Sequence, residues 1–444
     1  MTERVVLHVG GPKSGTTYLQ AVLREHAETL AGAGVLVAGR EQVDLVHAAM
    51  VLRGDARLDG LPPRAHRAWD RLVDEVAGWS GEMAVVSYEL FSNLEADAVR
   101  RALEDLAPRR VDVVVTARDL GRSLSSAWQE RLKFGVSQPL ERFTPPDDDV
   151  VDSEWGWRTL DPSSVAQRWG ATLPADRVHV VTVPRDGEPG ELWRRFADAA
   201  GLEGLVTDPA PVRANESLDV VSAEVLRRTN PHLRDFLRTP RERAVWSRDL
   251  LANRVLAPLG QEPLALGDAQ LAGARERYEA CRRAVVAAGW VVHGDLADLE
   301  PVAGRGRSPR EVSDAEVAQT AVRALAALLR ETRNDSVAAA AAAPAAAPAA
   351  GSGSAPAGAG AEEGRGLRGL RSVVTGASSR AVAARADELH ARVDELERAL
   401  DDRRRLQQRL AMLTDLVGEL LLPLEEADPA EQQRLAEQYR RTTT

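Results

Sequence analysis

Cysteine is almost absent from this chain of 444 residues, which contains Cys281 alone. One thiol excludes a disulfide framework and any metal site built from cysteines, and the scattered His, Asp and Glu residues predict no metal site either. The formal net charge of −10 argues against a nucleic-acid-binding protein, which is usually basic. The sequence also lacks an apolar leader and any bulky apolar run of about 18 residues, which predicts a cytoplasmic protein without a membrane span.

Lysine is the second scarce residue. Lys13 and Lys133 are the two lysines among 57 Lys and Arg residues, so nearly all positive charge is carried by arginine. Lys13 lies in the stretch Gly-Gly-Pro-Lys-Ser-Gly-Thr-Thr at residues 10–17. A compact ammonium on a flexible stem binds an anionic oxygen as a point charge, which a planar guanidinium does not imitate. A lysine at this position therefore indicates a specific chemical role.

The glycine-rich stretch stands between a predicted strand and a predicted helix. The β-branched run at residues 4–9 indicates a buried strand, and the apolar spacing from Thr16 onward indicates a helix. Together they aim backbone N–H groups and the positive end of the helix dipole at one point, which suits an anion. The alternative is an ordinary strand-to-helix turn. A Walker A motif is excluded, because Thr16 follows Gly15 where that motif requires lysine.

The sequence Pro-Lys-Ser-Gly-Thr-Thr-Tyr-Leu at residues 12–19 resembles the 5′-phosphosulfate loop of the sulfotransferases. These enzymes use 3′-phosphoadenosine 5′-phosphosulfate (PAPS) as sulfuryl donor. The resemblance, to bacterial members of the family, implies a P-loop NTPase-like α/β fold, no need for a metal ion, and contact between Lys13 and the bridging oxygen and sulfonate of the donor. It implies that the donor's 5′-phosphate is held by Gly11, Pro12, Lys13, Ser14, Gly15, Thr16 and Thr17.

A second motif supports the same resemblance. Sulfotransferases carry an arginine at the end of a strand and a serine on the next helix, and both bind the 3′-phosphate of the donor. Arg118 follows the β-rich run at 111–116, and Ser126 stands at the matching distance from it. The structural alternative is an arginine at a strand end and a serine that caps the helix. Arg213, in a segment that resembles a later loop of bacterial members, is a further candidate for the 3′-phosphate.

The order of predicted elements defines the fold class. Strand-like runs at residues 4–9, 83–87, 111–116 and 177–183 alternate with helical patterns. This alternation predicts an α/β fold, with a parallel sheet flanked by helices. We expect this domain to span residues 1–335.

The remaining sequence predicts a linker and a helical segment. Residues 336–366 are rich in Ala, Pro, Gly and Ser, which is typical of a flexible linker. In residues 367–444, Leu389, Val393, Leu396 and Leu400 follow the 4-3-4 spacing of a coiled coil. Because an isolated helix with so narrow an apolar stripe is marginal in water, we expect a homo-oligomer. Packing against the α/β domain or another protein is the alternative.

These expectations combine into a sulfotransferase that moves a sulfuryl group from PAPS to a hydroxyl of a carbohydrate or small-metabolite acceptor. The reaction needs a cation for the leaving phosphate oxygen and a base for the acceptor proton. Lys13 is the expected cation. Glu89 is the expected base, because it follows the strand at 83–87 as a lone acid among apolar and aromatic residues. The alternatives are His47 as the base and a helix-terminus role for Glu89. The alternative functions of the protein are those of a P-loop kinase or other NTPase, and of a non-catalytic scaffold.

Overall fold

The computed structural model describes residues 2–342 except 40, 147–154, 186–187, 189 and 210–216, and it gives only the backbone of residues 335–342. The strands are β1 Arg4–His8, β2 Val35–Val37, β3 Met83–Ser87, β4 Arg110–Ala117, β5 Val178–Thr182 and β6 Val291–His293. The α-helices are α1 Thr16–Glu25, α2 Ala27–Gly32, α3 Gln42–Arg53, α4 Pro63–His66, α5 Ala68–Gly78, α6 Ala96–Leu106, α7 Leu120–Lys133, α8 Trp157–Leu160, α9 Pro162–Gly170, α10 Glu191–Ala200, α11 Val220–Leu233, α12 Pro240–Glu242, α13 Asp268–Ala288 and α14 Asp314–Ala342. A π-helix spans Arg243–Leu256, and 3₁₀ helices lie at Ala56–Gly60, Glu89–Asn93, Leu140–Arg142, Ala175–Arg177, Ala257–Leu259, Leu296–Leu299 and Pro309–Glu311.

The six strands form one parallel sheet in the order β2-β3-β1-β4-β5-β6. This sheet confirms the predicted α/β fold, and each of the four strands expected from β-branched runs is present. The sequence pattern does not predict the two edge strands, β2 and β6. Each contains three residues, which is too short for a strand pattern to stand out from a loop.

Helices cover both faces of the sheet, which explains why its strands are continuous apolar runs. On one face, Val5 and Leu7 of β1 pack in a core that includes Trp69 and residues of α3, α5, α6 and α9. On the other face, Val6 packs in a core that includes Phe196 and residues of α1 and α10. Alternate residues of the central strand therefore anchor two separate helical layers.

The first 324 residues form one compact unit, and every site residue described below belongs to it. Helix α14 begins in this unit and ends at Ala342, inside the segment predicted as a linker. The predicted coiled coil and the rest of the linker lie outside the described residues, so both stay predictions. Within the described ranges, no helix combines the length and apolar character needed to cross a bilayer.

Candidate functional site

The carboxyl ends of three neighbouring strands bring the predicted site residues to one edge of the sheet. β1 lies between β3 and β4. The segment after β1 forms the glycine loop, residues 10–15, while Glu89 and Arg118 follow β3 and β4. Open parallel sheets bind ligands at this edge, beside the strand where the order of connections reverses. The fold therefore places the two sequence motifs next to each other.

The glycine loop has a backbone that few residues adopt. A Cβ atom on Gly11 would collide with the carbonyl oxygen of Thr159 in α8, so this position requires glycine. Gly15 has a φ of 85° and immediately precedes α1. Lys13 has a φ of 65° and is the one non-glycine residue with positive φ in the described part of the chain. Such a backbone costs on the order of 1–3 kcal/mol, so the contacts around Lys13 must hold it in place.

A buried chain of hydrogen bonds supports the loop from the sheet. The His8 ring lies 2.7 Å from Ser87 Oγ through Nδ1 and 3.1 Å from Thr116 Oγ1 through Nε2. Thr116 Oγ1 lies 2.7 Å from Ser14 Oγ, which donates to the carbonyl oxygen of Gly11 at 2.6 Å. Burial lowers the pKa of His8 to about 3, so the ring is neutral and accepts from one hydroxyl while it donates to the other. This network ties β1, β3 and β4 to the loop.

Of the hydroxyl residues at the start of α1, some are buried within the loop and one is exposed. The Ser14 hydroxyl is buried and bonded within the network, so it shapes the loop. Thr16 is buried at the first position of α1, and Thr17 is exposed beside it. The N-cap residue of α1 is Gly15, which has no side chain to cap the helix. The first N–H groups and the dipole of this helix therefore suit an anion.

Arg118 connects the two motifs. Its Nη1 donates to the backbone carbonyl oxygen of Lys13 at 3.2 Å. The side chain is half-buried, and desolvation, followed by the nearby Arg122, lowers its pKa from the ordinary arginine value. A guanidinium nevertheless stays charged at physiological pH and carries five N–H donors. Arg118 is therefore a partly desolvated cation against the loop, with donor capacity beyond this one bond.

The ammonium of Lys13 contacts an acid that the sequence does not single out. Lys13 Nζ lies 2.8 Å from Glu130 Oε1, and Lys133 Nζ lies 2.9 Å from the same oxygen. The side chains of Glu130 and Lys133 are 9% and 4% exposed, whereas that of Lys13 is 21% exposed. Desolvation opposes the Glu130 charge, but the two lysines outweigh it and hold the pKa of Glu130 below its usual value. Both lysines of the chain thus share one buried carboxylate.

Ser126 lies on the side of α7 that is turned toward the glycine loop. Asp119 fixes the start of α7, because its Oδ1 accepts from two backbone N–H groups of the first turn at 2.8 and 3.1 Å. Ser126 stands one turn before Glu130, so the two side chains project from the same face of the helix. Glu130 contacts Lys13, and the half-buried Ser126 therefore borders the same region.

Glu89 is held against α1. It is the first residue of the 3₁₀ helix after β3, and its Oε2 accepts from Nε2 of the buried Gln20 at 2.9 Å. Gln20 belongs to α1, the helix that begins at the glycine loop. The alternative base, His47, is half-buried in α3, whose core residues pack on the opposite face of the sheet from α1. Of the two candidates, Glu89 has a contact with the loop-bearing helix.

Arg213 lies outside the described residues, so its role stays a prediction. Within the described ranges, no three His, Cys, Asp or Glu side chains gather at distances that suit a metal ion.

A cleft of about 1320 Å³ is lined mainly by the end of α3 and by α6, and Lys13, Glu89, Arg118, Ser126 and Glu130 are not part of its lining. Asn93, the last residue of the 3₁₀ helix of Glu89, and Arg131 of α7 also line the cleft. Phe134 and Trp155 add aromatic rings. The charged residues of the lining are Arg53, Asp55, Arg57, Glu95, Asp97, Arg100, Arg101, Glu104 and Arg131. An aromatic and strongly polar lining suits a ligand rich in hydrogen-bonding groups.

Comparison with known protein families matches a segment that contains none of the site residues described above. Residues 389–443 match the model of a family described as a domain of unknown function, DUF6752. The match falls within the segment predicted as a coiled coil. No curated protein matches the chain, and neither does any solved structure.

Proposed function

We propose that the protein is a sulfotransferase that moves a sulfuryl group from PAPS to a hydroxyl of a carbohydrate or small metabolite. One observation carries the proposal: the Arg118 guanidinium donates to the backbone of Lys13, so the two motifs that resemble donor-binding segments meet at one sheet edge. A donor with phosphates at both the 5′ and 3′ positions of its ribose requires two such cationic positions side by side.

The residues present fit this donor. The glycine loop and the start of α1 would hold the 5′-phosphate through backbone N–H groups and the helix dipole. Arg118 and Ser126 would hold the 3′-phosphate, because Arg118 has donors beyond its bond to the loop and Ser126 lies on the α7 face turned toward it. Lys13 would bind the sulfonate and the bridging oxygen.

The chemistry needs one cation and one base, and the site offers both. Lys13 neutralises the negative charge that builds on the phosphate oxygen as the sulfuryl group leaves it. Its side chain belongs to the glycine loop and is partly exposed. Glu89 takes the proton of the acceptor hydroxyl as that oxygen bonds to sulfur, with Gln20 fixing the carboxylate. The rest of the site contributes position, because transfer depends on an in-line arrangement of donor and acceptor.

The chemistry of the cleft lining supports the acceptor class. Sugars bind proteins by stacking on aromatic rings and by hydrogen bonds to charged side chains. Phe134, Trp155 and the arginines of the lining offer both. The cleft reaches Asn93, the last residue of the short helix that begins with Glu89.

The direct test is transfer of a labelled sulfuryl group. The full-length protein is incubated with sulfur-labelled PAPS and a panel of glycans and small-metabolite extracts, beside its Lys13→Arg variant. We expect labelled product with the wild type and roughly 10²-fold less with Lys13→Arg, which keeps the charge but not the ammonium geometry. Equal labelling by both proteins contradicts the role of Lys13.

Two other outcomes identify the alternative functions. Transfer of phosphate from labelled ATP with Mg²⁺, in place of sulfuryl transfer, would identify a kinase or NTPase. A protein that neither transfers a group nor binds a 3′-phosphorylated adenosine nucleotide would act as a scaffold.

A further inference from the structure

The contact of Lys13 with Glu130 raises a conflict for an anion-binding loop. Lys13 Nζ is bound to a carboxylate at 2.8 Å, and the same ammonium must be available to an incoming anion. The Glu130 side chain is only 9% exposed, so Lys13 can leave it only if another positive charge compensates the buried carboxylate. Removal of one partner from a buried ion pair is strongly unfavourable, because the remaining charge loses its compensation.

Lys133 resolves this conflict. Its Nζ lies 2.9 Å from the same Glu130 oxygen, and its side chain is 4% exposed. If Lys13 leaves, Lys133 still neutralises the carboxylate. Burial lowers the pKa of Lys133, so its charge in turn depends on the attraction of Glu130. The two residues, one turn apart on α7, form a self-sufficient pair.

The three charged groups differ in how firmly they are held. The end of α7 is fixed by Asn230, whose Nδ2 donates to the carbonyl oxygens of Leu132 and Val136 at 2.8 and 2.7 Å. The backbone of Lys13 accepts a hydrogen bond from Arg118, but its side chain extends from the loop and is 21% exposed. The geometry makes Glu130 and Lys133 the fixed part and Lys13 the part that can move.

We propose that Glu130 and Lys133 are positioning residues that form a clamp for Lys13. In the ligand-free protein Glu130 holds the Lys13 ammonium. When the phosphosulfate end of a nucleotide enters the loop, Lys13 passes to that anion and Lys133 alone compensates Glu130. The release step rests on the proposed function, whereas the clamp itself is a property of the ligand-free protein.

The scarcity of lysine makes the clamp directly observable. Labelling of the full-length protein with [¹⁵N]lysine gives side-chain ammonium signals from Lys13 and Lys133 alone. Lys133→Arg assigns them, since it removes one signal. We expect Glu130→Gln to shift both signals in the ligand-free protein. Arg122→Gln changes the charge of an exposed residue at the other end of α7 and should move neither. If neither signal shifts in Glu130→Gln, the clamp does not exist in solution.

Addition of adenosine 3′,5′-bisphosphate then tests the release step. We expect the Lys13 signal to shift much further than the Lys133 signal, because only Lys13 changes its partner. Equal shifts of both signals would overturn the exchange. A wild-type protein that fails to bind this nucleotide would contradict both the release step and the proposed function, while the ligand-free spectra would still decide the clamp.

Affinity and turnover separate the clamp from a merely structural role. Glu130→Gln frees Lys13, so we expect roughly tenfold tighter binding of adenosine 3′,5′-bisphosphate but a lower kcat, because the ammonium is no longer held in position. Lys133→Gln leaves Lys13 as the sole partner of Glu130, so we expect roughly tenfold weaker binding, with recovery in Lys133→Arg. A structural role would weaken binding in both variants, and that result would overturn the proposal.

Discussion

At the scale of single residues, Arg118 links protein structure to the proposed chemistry. Its hydrogen bond to the Lys13 carbonyl oxygen supports the left-handed residue of the loop, and its other N–H groups are the donors that we propose for the 3′-phosphate. The side chain is already half-buried, so much of its desolvation cost falls on folding and not on binding. One arginine can therefore shape the loop and select the nucleotide.

Arg118→Ala separates these two tasks. We expect it to weaken binding of adenosine 3′,5′-bisphosphate by about 2–4 kcal/mol, because a charge-assisted pair with phosphate is lost. Calorimetry with adenosine 5′-monophosphate, which lacks the 3′-phosphate, is the control and should show a much smaller change. An equal loss with both nucleotides would mean that Arg118 only supports the loop.

Glu89→Gln tests the base. The amide is nearly isosteric, and it can still bond with Gln20, so nucleotide affinity should persist. Turnover should fall by roughly 10²-fold, since an amide does not accept the acceptor proton. His47→Ala is the matched variant and should turn over normally. The opposite pattern would make His47 the base.

The sequence predicts some of these residues and misses others for a physical reason. Lys13 is conspicuous, because lysine is nearly absent and its loop has a recognisable order of glycines and hydroxyls. Glu130 is one of 67 acidic residues, and nothing in its neighbourhood marks it. Its importance arises from the packing of α7 against the loop, which no local pattern encodes. The one signal in the sequence is Lys133, which stands three residues after Glu130 and is conspicuous because lysine is scarce.

At the scale of elements, the His8 network joins three strands to the loop. The ring must be neutral, because it is fully buried and accepts from one hydroxyl while it donates to the other. Its pKa is lowered to about 3 in the folded protein, from an ordinary value near 6.5. Between about pH 3 and pH 6.5, the unfolded chain therefore binds a proton on His8 that the folded protein does not bind.

This difference predicts an acid-sensitive stability. Below about pH 6.5 the His8 contribution should reduce the free energy of unfolding by about 1.4 kcal/mol for each unit of pH, until the folded pKa is reached. Urea unfolding of the wild type and of His8→Gln is monitored by tryptophan fluorescence from pH 7.5 to 4.5. The difference between the two proteins gives the contribution of His8 to the free energy of unfolding. The variant should lose stability less steeply on acidification. Parallel pH profiles would show that His8 is not buried as a neutral ring.

Element prediction succeeds where strands are long and apolar. β1, β3, β4 and β5 are buried on both faces and contain five to eight residues, so their β-branched runs are visible in the sequence. β2 and β6 contain three residues and depend on their neighbours in the sheet. Their pairing depends on tertiary contacts, so the local strand propensity of their residues does not predict it.

At the scale of the whole molecule, we expect the predicted coiled coil to be separable from the α/β unit. A chain that ends at Ala342 keeps α14 intact and removes the segment that matches DUF6752. We expect this shorter protein to stay folded and active but to form a smaller oligomer, because the coiled coil is the expected self-association element. Light scattering that gives an unchanged number of subunits would contradict this assignment.

The central claim is that this sheet edge binds a sulfuryl donor, and calorimetry with its desulfated product tests it most directly. The full-length protein is titrated with adenosine 3′,5′-bisphosphate, adenosine 5′-monophosphate and ATP with Mg²⁺. We expect the bisphosphate to bind at least about 100-fold more tightly than either comparison nucleotide, which corresponds to about 2.7 kcal/mol for recognition of the second phosphate. Equal or tighter binding of ATP with Mg²⁺, or no binding of the bisphosphate, would contradict it.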